Sequence, residues 1–103
     1  MSDPVLEQVR TALRQAYGDR LERIVLYGSR ARGDQQDESD YDIAVFVRGL
    51  ERSWDEFKKL GGIELDLFYA TNAIVHVMPY AAGFWRDPKS PLMYELRRDG
   101  RDL

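Results

Sequence analysis

Two apolar, β-rich runs joined by a polar connection constrain this chain more than any other feature. Residues 24–27 run into Gly28 and Ser29, and residues 43–47 follow Asp40-Tyr41-Asp42. Each run is apolar on both of its faces, which is typical of covered central strands. The pattern predicts a sheet in which two small residues at the end of one strand face two carboxylates at the start of the next.

Helices are predicted around these strands. Asp3-Pro4 is an N-cap followed by proline at the first helical position, and helical spacing of apolar residues continues until Gly18. Ser53 with Glu56 forms a capping box, so a second helix begins at Trp54. A third strand is predicted over residues 74–78, ended by Pro79, and a last helix over residues 92–98 after a Ser90-Pro91 cap. Fold class is therefore α/β (α+β), with a small mixed sheet packed with helices in one domain over residues 1–103.

The end of the second helix is ambiguous. Gly61-Gly62 could stop it and release residues 63–69 as a strand with Asp66 and Glu64 on one face. As a helix, the same stretch gathers its apolar side chains on one face, from which only Ile63 and Glu64 depart, and Thr71-Asn72 offers a stop. We favour one helix through the glycines, in which Trp54, Phe57, Leu60, Gly61, Leu65, Leu67 and Phe68 share the apolar face.

The chemistry of the polar connection points to a metal and a phosphate. Asp40 and Asp42 lie two apart at the entry to a strand, so their side chains project from the same face. Two such carboxylates repel unless a cation lies between them, and Mg²⁺ is held by one or two carboxylates with water and phosphate oxygens. Gly28 lets a phosphate approach the backbone, and Ser29 offers its N–H and hydroxyl.

These residues resemble the minimal nucleotidyltransferases (MNT) of the DNA polymerase beta superfamily. Gly28-Ser29, ten intervening residues and Asp40-x-Asp42 match the hallmark spacing of that family. The resemblance implies a polymerase beta-like fold and transfer of a nucleoside monophosphate from ATP or another nucleoside triphosphate to a hydroxyl. It implies that Gly28 and Ser29 hold the β and γ phosphates and that catalytic Asp40 and Asp42 bind two Mg²⁺ ions. Arg30 and Arg32 are candidates for further phosphate contacts.

One family feature is not clearly present. Active members carry a third acid on the third strand, and here Asp66 supplies it only if residues 63–69 form that strand. If the helix continues, the third strand offers only His76 as a titratable side chain. The alternative to an active transferase is therefore a weak or inactive nucleotide-binding module that stabilises a partner by contact.

Composition limits what the chain acts on. Its 103 residues leave no room for a second, acceptor-binding domain, and a net charge of -3 disfavours general nucleic-acid binding. With no cysteine and no apolar segment of membrane length, a cytoplasmic location is expected. The resemblance extends to antitoxins paired with HEPN-domain ribonucleases, which implies a HEPN-type partner, and a homo-oligomer is possible. Candidate contacts, or alternatively the cover of one sheet face, are Phe84, Trp85, Leu92, Met93 and Tyr94.

Overall fold

A four-stranded mixed sheet organises the molecule. The computed structural model describes residues 3–34, 36 and 39–103. Its strands are β1 (Leu21–Tyr27), β2 (Tyr41–Val47), β3 (Val75–Ala81) and β4 (Arg101–Asp102), in the order β3-β2-β1-β4. β1 is antiparallel to both β2 and β4, whereas β2 and β3 are parallel. The predicted mixed sheet and fold class are confirmed, and the short β4 was not predicted.

Within the described residues four α-helices accompany the sheet, and the caps of the longer three follow the sequence signals. They are α1 (Pro4–Tyr17), α2 (Ser29–Arg32), α3 (Trp54–Thr71) and α4 (Pro91–Asp99), with 3-10 turns at Gly18–Arg20 and Ala82–Arg86. The side chains of Asp3, Ser53 and Ser90 each accept a backbone N–H of the helix that follows, as N-caps do. Among the described residues no helix is both long and apolar enough to cross a membrane.

α3 runs through Gly61-Gly62 to Thr71, and Asn72 ends it in a left-handed conformation at φ 59. The helix prediction for residues 63–69 is therefore confirmed. The predicted apolar face is confirmed only in part, since Leu60 and Leu67 pack on the core as predicted. Ile63, which the prediction left off this face, also packs on the core, whereas Trp54 and Phe57 are exposed. These three aliphatic side chains of α3 therefore pack against the sheet, and its aromatic side chains face solvent.

β3 also departs from the prediction, since it passes through Pro79 to Ala81. β3 lies at the edge of the sheet, and the Val77 N–H points away from β2 to donate to Glu64 Oε2 at 2.8 Å. Successive residues of a strand alternate in direction, so the nitrogen of Pro79 also faces outward and no ladder hydrogen bond is lost. Proline therefore does not end this strand.

The core lies in two layers, one on each face of the sheet. α1 and α3 cover one face around Leu13, Ile43 and Leu67. The other face is covered by α4 and the 3-10 turn after β3, with the Phe46 ring 5.6 Å from that of Tyr80 and 5.4 Å from that of Trp85. Of the predicted contact residues, Met93 is fully buried and Phe84 and Trp85 pack on this layer, while Leu92 and Tyr94 are exposed.

Candidate active site

Three neighbouring strands bring the predicted site residues to one end of the sheet. Tyr27, the last residue of β1, is paired with Asp42 of β2, and Asp42 is paired with His76 of β3. Gly28 follows Tyr27 directly, so it lies beside Asp42 on one side while His76 lies on the other. The structure thus assembles Gly28, Asp40, Asp42 and His76.

Gly28 and Asp42 are in close contact. Gly28 has φ 75 and ψ -156, a backbone conformation essentially restricted to glycine. A Cβ at this position would lie 2.6 Å from Asp42 Oδ2, far inside van der Waals contact. The missing side chain of Gly28 therefore provides the space in which the Asp42 carboxylate lies.

The two carboxylates and the imidazole form one electrostatic group. His76 Nε2 lies 3.0 Å from Asp40 Oδ2, within hydrogen-bonding distance. Burial raises the pKa of Asp42 above its usual range, nearby His76 opposes this and the Asp40 carboxylate adds to it. The surroundings of Asp42 therefore disfavour its ionised form. A bound cation would offset this cost.

The entry to β2 is fixed by contacts that the sequence did not predict, one of them made by Arg30, which was predicted as a phosphate contact. The Tyr41 hydroxyl donates to Asp3 Oδ2 at 2.8 Å, while Oδ1 of the same carboxylate accepts the Val5 N–H. Arg30 lies over the Tyr41 ring with its Cζ 3.9 Å from the centroid, and its Nε donates to the Ser39 carbonyl at 2.8 Å. Burial and the Asp3 bond raise the pKa of Tyr41 to about 12. These contacts lie on both sides of Asp40 in the chain. The Tyr41–Asp3 bond could not be predicted from the sequence, because the two residues are 38 positions apart.

The remaining predicted residues lie around this centre. Ser29 begins α2 directly after Gly28 and is half-buried. Arg32 is exposed, with its Nε 3.4 Å from Asp34 Oδ2. Asp66 lines a separate groove of about 610 Å³ between α1 and α3, which holds none of the residues assembled at the sheet end. Gln35, Asp37 and Glu38 of the predicted polar connection lie outside the described residues.

The donor set fits a metal shared with a nucleotide rather than one held by protein alone. Across the described part of the chain, no three His, Cys, Asp or Glu side chains are grouped so as to hold a metal ion. Mg²⁺ is commonly bound by one or two carboxylates together with substrate phosphates and water. Asp40 and Asp42 meet that requirement, and Asp40 also lines a cleft of about 560 Å³ next to Ser39 and Phe68.

Comparison with known proteins identifies a nucleotidyltransferase family. The family model of the nucleotidyltransferase domain matches residues 6–93. MJ1305 of Methanocaldococcus jannaschii, assigned by name to the protein adenylyltransferases, is 36% identical over 70 residues, covering 67% of this chain and 48% of that protein. MJ0604 of the same organism, named likewise, is 40% identical over 43 residues, or 42% of this chain and 43% of that protein. The chain spans about half the length of these curated relatives.

Solved structures share the fold. A toxin–antitoxin crystal structure with AMP-PNP superposes with a TM-score of 0.67 at 23% identity, covering 93% of this chain and 69% of that one. A Sulfolobus solfataricus protein named as a nucleotidyltransferase gives a TM-score of 0.56 at 21% identity, covering 99% and 87%. The chain belongs to the nucleotidyltransferase domain family, and its fold is that of the MNT-type domains.

Proposed function

We propose that this domain transfers AMP from ATP to a hydroxyl of a partner protein, and that the partner is a HEPN-type ribonuclease which it neutralises as an antitoxin. One observation carries the proposal: Gly28 and the carboxylates Asp40 and Asp42 meet at one end of the sheet. Support comes from relatives named as protein adenylyltransferases and from fold neighbours in toxin–antitoxin complexes, one with AMP-PNP.

Each residue has a role in this proposal. Gly28 and Ser29 hold the β and γ phosphates through backbone N–H groups, next to the Asp42 carboxylate that packs against Gly28. Asp40 and Asp42 hold two Mg²⁺ ions together with the phosphates. Bound Mg²⁺ supplies positive charge against the oxygens on which negative charge develops in phosphoryl transfer. Arg30 orders the residues before β2 through Ser39 and Tyr41, and Arg32 is an exposed cation within reach of incoming phosphates.

The reaction itself is a displacement at the α-phosphorus. The acceptor oxygen bonds to that phosphorus, the bond to the bridging oxygen of the β-phosphate breaks, and pyrophosphate leaves. The hydroxyl proton is released to base or solvent as the new ester forms. Most of the catalysis lies in positioning, which the close packing of Gly28 and Asp42 provides.

A second candidate function is favoured by a specific observation on β3. The residue paired with Asp42 is His76, so an imidazole stands where active relatives are expected to carry the third acid. Two carboxylates suffice to bind Mg²⁺ and nucleotide without turnover. The second candidate is therefore a nucleotide-binding module that neutralises its partner by contact.

One experiment separates the two. The protein is incubated with ATP, Mg²⁺ and the protein encoded by the neighbouring gene, which the proposal expects to be of the HEPN type, and the intact mass of that partner is followed. Transfer predicts an added AMP with the wild type and none with Asp42→Ala. His76→Ala and His76→Asp variants then report whether the imidazole contributes to the rate. No added mass with wild type or His76→Asp, while the complex still forms, would establish the binding module instead.

A further inference from the structure

The outer face of α3 exposes an apolar surface next to the edge of the sheet. Trp54, Phe57, Leu65 and Phe68 recur every three, eight and three residues, which keeps them on one side of the helix, and they are 75%, 45%, 53% and 40% exposed. Ile74, just before β3, continues the patch at 49% exposure. We call these five residues the α3–β3 surface.

The size of this surface matches one side of a protein interface. Full side chains of this size present roughly 150–250 Å², so the exposed fractions correspond to an apolar area on the order of 500 Å². A standard interface takes about 800 Å² from each partner, of which somewhat more than half is apolar. The largest apolar patch of a typical monomer is about 300–600 Å² and is often functional.

The edge of β3 is closed to strand addition, which limits the kind of partner. The outward N–H of Val77 is taken by Glu64, and Pro79 has no N–H to offer. The Pro79 carbonyl accepts from Arg52 Nη2 at 3.3 Å. A partner cannot extend the sheet here through main-chain bonds and must bind through side-chain packing, as an amphipathic helix does in a groove.

The in-line geometry of the proposed reaction also points to the α3–β3 surface as the acceptor side. Given the proposed function, on which this step rests, the leaving pyrophosphate lies on the Gly28 side of Asp42, toward β1. Attacking and leaving oxygens are roughly in line in phosphoryl transfer, so the acceptor hydroxyl must arrive from the opposite side, where β3 and His76 lie. A groove of about 380 Å³ between α3 and β3 ends at His76, and Phe68 and Ile74 line both this groove and the cleft that holds Asp40.

We propose that the α3–β3 surface docks an amphipathic helix of the acceptor protein and so delivers the hydroxyl to the His76 side of Asp40. The apolar face of that helix packs along the aromatic stripe of α3. Its hydroxyl-bearing end lies where Phe68 and Ile74 meet the cleft.

The test measures, by titration calorimetry, binding of the same purified partner, the protein encoded by the neighbouring gene. Leu65→Glu and Leu65→Lys should each weaken binding at least about tenfold, because either charge interrupts the apolar contact. Tyr94→Glu is the matched control, with 58% exposure against 53% for Leu65. Tyr94 lies on α4, outside the α3–β3 surface, so although the sequence offered it as a candidate contact, this variant should bind like wild type. Binding of Mg·ATP should be the same in all four proteins.

The outcomes separate this proposal from the proposed function. Transfer to the partner with unchanged affinity in both Leu65 variants would leave the function standing and overturn the docking site. Loss of affinity in those variants, with no transfer by wild type, would support the site and refute the transferase. A wild type that does not bind this partner at all also overturns the docking site.

A photo-crosslinker placed at position 68 identifies the occupant directly, with position 94 as its control. We expect crosslinks from position 68 to one helix of the acceptor protein, close to the residue that gains AMP. Crosslinks between two copies of this chain would show that the surface is a homodimer interface and would overturn the proposal.

Discussion

Gly28→Ala is the sharpest perturbation that the structure offers, because it adds one methyl group against Asp42. The new Cβ would lie 2.6 Å from Asp42 Oδ2, so the carboxylate must move by roughly 1 Å to restore normal contact. The φ of 75 adds a backbone cost of about 1–3 kcal/mol for a residue with a side chain. The variant therefore changes both the stability of the domain and the position of Asp42, the carboxylate proposed to be catalytic.

Gly18→Ala separates these two effects. Gly18 has φ 54 and ψ -129, close to the conformation of Gly28, and a Cβ there would meet nothing within 4 Å. Both variants should lose about 2 kcal/mol, which corresponds to a fall in melting temperature of roughly 10 °C for a domain of this size. Thermal unfolding followed by circular dichroism measures this shift.

Only Gly28→Ala should lose function at a temperature where both variants are folded. A displacement of about 1 Å in a positioned group costs on the order of 100-fold in rate, so AMP transfer should fall by that factor. Mg²⁺-dependent ATP binding, measured by calorimetry, should weaken in parallel. If Gly28→Ala transfers AMP as fast as Gly18→Ala, Asp42 does not need the space that Gly28 leaves, and the assignment of the site fails.

Three further predictions concern α3 and α1. Asp66→Ala should change AMP transfer by less than roughly twofold, since Asp66 is exposed and lines the groove between α1 and α3, away from Asp40 and Asp42; a loss as deep as that of Asp40→Ala would place the third acid at Asp66. Gly62→Ala should raise the free energy of unfolding by about 0.5–1 kcal/mol in a denaturant titration, because a Cβ there meets open space inside a helix. Tyr17 is a buried phenol whose hydroxyl donates to Glu56, and burial first, then that bond, raise its pKa above the usual value. A raised pKa means stability that is present below about pH 10 and lost as the pH rises further, so Tyr17→Phe should flatten this alkaline loss in melting temperature, whereas Tyr69→Phe, at 77% exposure, should not.

Local signals in the sequence were enough to predict the three longer helices and the first three strands, but not α2 or β4. The caps at Asp3, Ser53 and Ser90 act within a few residues, so they could be read directly. The face of α3 could not, because two apolar stripes compete on that helix and only contact with the sheet decides which one is buried. The strand through Pro79 was missed for a similar reason, since proline is tolerated only at an edge and edge position is a property of the whole sheet.

The residues of the candidate site are divided between β1 and β2 on one side and β3 on the other. β1 and β2 contribute Gly28 and the two carboxylates, and this half of the site depends on a contact within the chain that a single methyl group would disturb. β3 contributes His76, a capped edge and the end of an apolar groove, all of which face the side from which an acceptor must come. In the proposed function, nucleotide binding and acceptor delivery would therefore rest on different residues. Variants on β1 and β2 should alter both nucleotide affinity and transfer, whereas variants on the α3–β3 surface should alter transfer to the protein acceptor alone.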